Sequence, residues 1–81
     1  MRDTVPSSTA RIGIVDDDPE TCAALAELVR AHTAYQLVGC AASVRDGLQL
    51  LATQPTILLV DLALPDGSGL ELITHIQAHG L

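Results

Sequence analysis

Apolar and polar residues alternate along this chain in two distinct rhythms. Ile57-Leu58-Leu59-Val60 runs without a polar break, as in a strand covered on both faces of a parallel sheet between helices. It predicts a strand over Thr56–Leu62, stopped by Pro65. Arg11–Val15 and Gln36–Ala42 read as two further strands, the second centred on Leu37-Val38-Gly39-Cys40. Between the strands the rhythm lengthens to helical spacing. Cys22, Leu25, Ala26 and Val29 form one apolar stripe, in a helix fading near His32–Thr33; Val44, Leu48 and Leu51 form a second and Leu70, Ile73 and Ile76 a third.

Start and stop signals agree with this division. Asp18 followed by Pro19 opens the first helix, a capping carboxylate with proline at the first helical position. Ser43 with Asp46, and Ser68 with Glu71, approximate capping boxes for the second and third. Gln54-Pro55 ends the second helix, Gly80 is a carboxyl cap for the third, and Pro65-Asp66-Gly67 marks Ala63–Ser68 as a loop with Asp66 as a turn residue. Met1–Ala10 reads as a flexible leader. The order β-α-β-α-β-α with right-handed crossovers implies an α/β fold whose parallel sheet has strand order 2-1-3.

That order changes the meaning of the acids. Strand 1 ends in Asp16-Asp17-Asp18 and strand 3 in Asp61, and ligands of open α/β sheets bind at the carboxyl ends of strands. The 2-1-3 order brings Asp16, Asp17 and Asp61 together although they are far apart in sequence. Converging carboxylates repel unless a cation joins them, and Mg²⁺ is commonly held by one or two carboxylates with water completing its shell. A carboxylate in such a site can also act as a nucleophile toward phosphorus. Asp18 is assigned to helix capping instead.

Composition narrows the partners. A net charge of −6, with four arginines and no lysine, disfavours direct contact with nucleic acid or anionic membrane. Tyr35 is the single aromatic residue, so base stacking is unavailable and the core is aliphatic. No run reaches membrane-spanning length and no signal peptide is recognisable, which predicts a cytoplasmic protein. Cys22 and Cys40, each in an apolar segment without zinc-site spacing, are expected as small buried core residues. Glu71, His75 and His79 have the spacing of a transition-metal site, but a solvated helix face explains them equally well.

Val15-Asp16-Asp17-Asp18-Pro19 and Leu59-Val60-Asp61-Leu62-Ala63-Leu64-Pro65-Asp66-Gly67-Ser68-Gly69 together resemble the receiver domain of two-component response regulators. Each motif is weak alone; both on this β/α order are specific. The resemblance runs from about Arg11 to Leu81. It implies a partial flavodoxin-like (CheY-like) three-layer fold lacking the last two β-α units, with 11–81 as a truncated receiver domain after the 1–10 leader. It also implies that Asp61 is the phosphoacceptor for a sensor histidine kinase. Asp16, Asp17, Asp61 and the backbone carbonyl of Ala63 would hold Mg²⁺, with Pro65 as the loop proline and Gly69 as the glycine before the third helix.

The family's hydroxyl residue after strand 4 and lysine after strand 5 have no counterpart in this sequence. Phosphoryl transfer to the chain is therefore expected to be slow, and the resemblance leaves room for a DNA-binding output domain beyond Leu81. The function expected is a non-enzymatic phosphorelay receiver module. The alternative is a phosphorylation-incompetent interaction module that forms a homodimer through the strand 3 edge, where Ile57–Val60 would expose unpaired backbone. A haloacid-dehalogenase-type phosphatase, suggested by the strand-Asp-x-Asp start, is disfavoured because Glu20 stands where that family has Thr or Val.

Overall fold

The computed structural model describes residues 9–79. A three-stranded parallel sheet has β1 (Ala10–Val15) at its centre, flanked by β2 (Tyr35–Ala41) and β3 (Ile57–Val60), in the expected order 2-1-3. Ile12, Ile14 and Val15 are buried, as a central strand covered on both faces requires. β1 starts at Ala10, one residue before the expected Arg11; residues 1–8 of the expected leader, like the Gly80 cap, lie outside the described residues.

α1 (Pro19–Arg30) starts as its sequence dictates. The Asp18 carboxylate accepts from the Glu20 N–H at 3.1 Å and the Thr21 hydroxyl at 2.7 Å, and Pro19 occupies the first turn. Ala26 and Val29 are its buried positions. In α2 (Val44–Leu50), Ser43 Oγ accepts from the Asp46 N–H at 3.0 Å. A 3-10 turn, Leu51–Thr53, continues it, and Gln54 then leaves in the left-handed region at φ 57°. Thr53 and Gln54 turn their carbonyls to the Arg11 guanidinium, which ties this helix end to the start of β1.

Two expected helix stripes are rotated. α2 buries Val44, Gly47 and Leu50 and leaves Leu48 exposed. The reason is Gly47: a Cβ there would stand 2.9 Å from Leu72 Cδ1, so the face nearest α3 is the one with no side chain at its middle position. A pattern of large apolar residues cannot reveal such a face. In α3 (Leu70–His79), Leu72 is completely buried whereas Leu70 is 55% exposed and Ile73 38%. This helix is apolar on two faces, and the one carrying Leu72 packs on Val15, Val44, Leu50 and Leu64.

The segment expected as a loop contains a short hairpin, β4 (Ala63–Leu64) with β5 (Gly67–Ser68), turning at Pro65-Asp66. Its Leu64 is buried in the core. β3 also departs from expectation, because its two faces differ. Leu58 and Val60 pack on the core under α2 and α3, while Ile57 and Leu59 are 42% and 38% exposed. α1 lies over β1 and β2, leaving an apolar groove of about 320 Å³ between Leu25, Leu28 and Leu59.

Cys22 is half-buried and Cys40 exposed, against the core placement expected for both. They stand at the carboxyl-terminal edge of the sheet, beside the start of α1.

Candidate functional site

The site grows out of strand register. Val15 pairs with Ala41 on one side and Val60 on the other. The ladder continues one rung beyond: the Asp16 N–H donates to the Ala41 carbonyl at 2.9 Å, and the Asp61 N–H donates to the Val15 carbonyl at 2.8 Å. Asp16 and Asp61 therefore leave adjacent strands at the same level and edge. Asp17 follows before the chain turns into α1. One carboxylate oxygen from each of the three lies within 4.8 Å of the others. Asp16 and Asp61 are half-buried and Asp17 is exposed.

Four carboxylates near this edge, those of Asp16, Asp18, Asp61 and Asp66, have defined hydrogen bonds. Asp16 Oδ1 accepts from the Asp18 N–H at 2.9 Å, and Asp61 Oδ1 accepts from the Ala63 N–H at 3.1 Å. The second bond brings the Ala63 backbone beside the Asp61 carboxylate. Asp18 caps α1, and its hydrogen bonds with Thr21 and Glu20 hold its carboxyl below the usual carboxylate range. Asp66 was expected as a turn residue and does more. Its carboxylate accepts from the Val44 N–H at 2.7 Å and the Arg45 N–H at 3.0 Å, fastening the β4–β5 hairpin to the start of α2. Those two bonds lower its pKa. No local signal announces this contact, because its partners lie more than 20 residues away in the sequence.

Gly69 sets the approach of α3 to the site. A Cβ at this position would stand 2.2 Å from the Asp61 carbonyl oxygen and 2.5 Å from Val60 Cγ1. Only glycine lets the helix start that close to the end of β3, and the Gly69 N–H donates to the Leu62 carbonyl at 3.0 Å. Glu71 then reaches back to accept from the Ser68 N–H at 3.0 Å, while Ser68 Oγ accepts from the Leu70 N–H at 3.1 Å. Glu71 is thereby committed to capping. His75 and His79 stack on each other with ring centroids 4.4 Å apart. Among the described residues, Asp16, Asp17 and Asp61 form the one group of three or more His, Cys, Asp or Glu close enough to share an ion.

Beside the carboxylates opens a pocket of about 370 Å³, lined among others by Asp16, Asp17, Cys22 and Cys40. The Cys22 thiol donates to the Asp16 carbonyl at 3.3 Å. Burial pushes this thiol's pKa up, reinforced by Cys40 and by the Asp16 and Asp18 carboxylates. The cysteines' place at this edge was not foreseen, although strand alternation and the first turn of α1 mark both positions.

The carboxylate cluster lies at the carboxyl-terminal edge of an open α/β sheet, the place where ligands of such sheets bind. The family model of the response regulator receiver domain matches residues 12–81, and the chain belongs to that family. It is similar to the transcriptional regulatory protein CitB of Klebsiella pneumoniae, 33% identical over 63 residues, which cover 76% of this chain and 27% of CitB. It is also similar to the response regulator protein PilR of Pseudomonas aeruginosa, 38% identical over 67 residues, 79% of this chain and 14% of PilR. The response regulator PhyR from Brucella abortus shares the fold, with a TM-score of 0.78 at 24% identity over 90% of this chain and 31% of PhyR. The chain thus spans about a quarter or less of the length of its curated relatives. Among the described residues, no helix is long and apolar enough to cross a membrane.

Proposed function

We propose that this chain is a phosphorelay receiver module in which Asp61 accepts a phosphoryl group from a sensor histidine kinase. The observation that carries this reading is the convergence of Asp16, Asp17 and Asp61 within 4.8 Å at the ends of adjacent strands. The Ala63 N–H fixes Oδ1 of Asp61, which leaves Oδ2 as the attacking oxygen. Attack forms a P–O bond to Asp61 as the P–N bond of a phosphohistidine breaks, and the imidazole leaves with its electron pair and takes up a proton.

The residues fit Mg²⁺. The donor set is all oxygen, which suits a hard cation, and one carboxylate oxygen from each of Asp16, Asp17 and Asp61 lies within 4.8 Å of the others. Asp16, Asp17, Asp61 and the Ala63 carbonyl would hold the ion. When bound, it would neutralise charge on the transferring group.

The test is incubation with a small acyl phosphate and Mg²⁺, followed by intact-mass and peptide analysis. Label is expected on Asp61, slow to form, and absent from Asp61→Asn. Label that persists in Asp61→Asn refutes the assignment. Mg²⁺ affinity is expected in the millimolar range, about 4 kcal/mol, and should fall in Asp17→Asn; equal affinities remove the metal site.

A second reading has its own observation. β3 pairs with β1 on one side, and Ile57 and Leu59 are exposed beside it. An edge of this kind recruits another strand, and we propose a second copy of the chain as its partner. The net charge of −6 favours protein over nucleic acid as the direct contact of this segment. A transcriptional output, of the kind named for CitB, would reside in another domain.

A further inference from the structure

Two cysteines stand beside the Asp16 backbone. Cys22, in the first turns of α1, donates its S–H to the Asp16 carbonyl at 3.3 Å. Cys40, next to last in β2, lies opposite Ile14, and its neighbour Ala41 accepts the Asp16 N–H at 2.9 Å. Both thiols line the same pocket of about 370 Å³ as Asp16 and Asp17, and burial together with the nearby Cys40 raises the pKa of Cys22. Cys40 is exposed and Cys22 half-buried, so reagents in solution reach Cys40 more readily.

We propose that Cys22 and Cys40 form a reversible disulfide, so that the thiol redox state of the surroundings acts on the loop carrying Asp16 and Asp17. The oxidant is a low-molecular-weight disulfide, RSSR. The Cys40 thiolate attacks one of its sulfurs, forming a Cys40–S–S–R bond and releasing RS⁻. Cys22 then gives up its thiol proton to water and attacks the Cys40 sulfur, forming the Cys22–Cys40 bond and releasing the second RS⁻. The two electrons of the oxidised pair leave on the two RS⁻ groups, which take up the two protons as RSH. A disulfide holds its β-carbons about 3.5–4.5 Å apart, so closure ties the start of α1 to the end of β2. Once its proton is gone, Cys22 can no longer donate to the Asp16 carbonyl. The Asp16-Asp17 backbone loses one of its two fastenings and shifts. The effect on cation binding rests on the metal site proposed above; disulfide formation does not.

The whole chain is equilibrated in oxidised and reduced glutathione buffers without Mg²⁺, quenched with an alkylating agent, and analysed by intact mass and peptide mapping. Two alkylated cysteines are expected at the reducing end and a monomeric chain with a Cys22–Cys40 crosslink at the oxidising end. Cys22→Ser should stop at a glutathione adduct on Cys40. Wild type that stays doubly alkylated, accumulates the adduct without closing, or crosslinks only between chains overturns the proposal. Backbone amide NMR reads the coupling without the metal: the Asp16 and Asp17 signals should move on oxidation and stay unmoved by the same treatment of Cys40→Ser. Disulfide formation with those signals unchanged overturns the coupling. With Mg²⁺, the oxidised chain is expected to bind at least about threefold more weakly. No affinity in either state means that the metal reading has failed; equal measurable affinity in both states means that this inference has.

Discussion

Gly69→Ala tests the link between packing and site most directly. A β-carbon there would lie 2.2 Å from the Asp61 carbonyl oxygen, 2.5 Å from Val60 Cγ1 and 3.0 Å from the Asp61 carbonyl carbon. The Val60 methyl can turn aside. The Asp61 carbonyl cannot, because the same residue's N–H is fixed to Val15 and its Oδ1 to Ala63. Relief must come from moving the start of α3 away from the end of β3 by about 1 Å, the shortfall from ordinary carbon–oxygen contact. That movement lifts Leu72, wholly buried, off Val15 and Val44. Overpacking of this kind costs about 1–3 kcal/mol, and backbone as the obstacle puts it at the upper end. For a chain this small, about 2–3 kcal/mol lowers Tm by roughly 8–24 °C.

Gly39→Ala is the control, since its β-carbon would meet only Leu50 Cδ1, at 2.8 Å, the free end of a flexible side chain. Thermal melts followed by circular dichroism, paired with Mg²⁺ titrations, measure both effects. Gly69→Ala should melt far below Gly39→Ala and bind the cation more weakly, because the displaced Gly69 N–H, bonded to the Leu62 carbonyl, pulls on the segment between Asp61 and Ala63. A Gly69→Ala protein within about 2 °C of wild type, well inside one kcal/mol for a chain of this size, would show the close approach to be unimportant.

Leu72→Ala should cost about 2–5 kcal/mol in urea unfolding, and Leu70→Ala, at an exposed position of the same helix, no more than about 0.5 kcal/mol; equal losses would mean that α3 is rotated from the face described. The Asp18 and Asp66 carboxyls are held below the usual range, so their contribution is complete above the ordinary aspartate value of about 3.9 and is lost as pH falls through their own lower values. Acid titration of stability should therefore be shallower in Asp66→Asn, and an unchanged slope would disprove the α2 contact. Light scattering at micromolar concentration should give more than the monomer mass for wild type and the monomer mass for Leu59→Arg; a wild-type monomer at every concentration removes the β3 pairing.

The sheet order and the carboxylate cluster were legible because both follow from period and position. An unbroken apolar run ending in an acid needs no partner to be recognised, and 2-1-3 follows from handedness. The helix faces were harder. In α2 the buried middle position is Gly47, invisible to any count of large apolar residues, and in α3 Leu70, Leu72, Ile73 and Ile76 offer two faces between which only packing chooses. The β4–β5 hairpin was hidden by its two-residue strands, too short for any alternation. Cys22 and Cys40 were misplaced for a related reason. Apolar neighbours in sequence say nothing about whether a strand end or first helical turn is covered in space.

What the sequence could least reveal is how the fold brings the acids to one place. Their like charges push apart, yet the fold closes a circuit around them. From Asp16 the circuit passes by hydrogen bond to the Ala41 carbonyl of β2, then along the chain through Ser43 into α2. Val44 and Arg45 donate from there to the Asp66 carboxylate, and the hairpin returns through Ala63 to Asp61. The Asp61 N–H closes the loop on Val15, the residue before Asp16. The hydrogen bonds between elements in this circuit join segments distant in sequence, so no local motif contains them. Their sum is a frame that keeps Asp16 and Asp61 at one level while their side chains stay open to solvent on one side. The same circuit runs through the loop fastened to Cys22 and the strand bearing Cys40. A change at either cysteine therefore reaches Asp16 through the backbone, across one hydrogen bond, without touching its carboxylate.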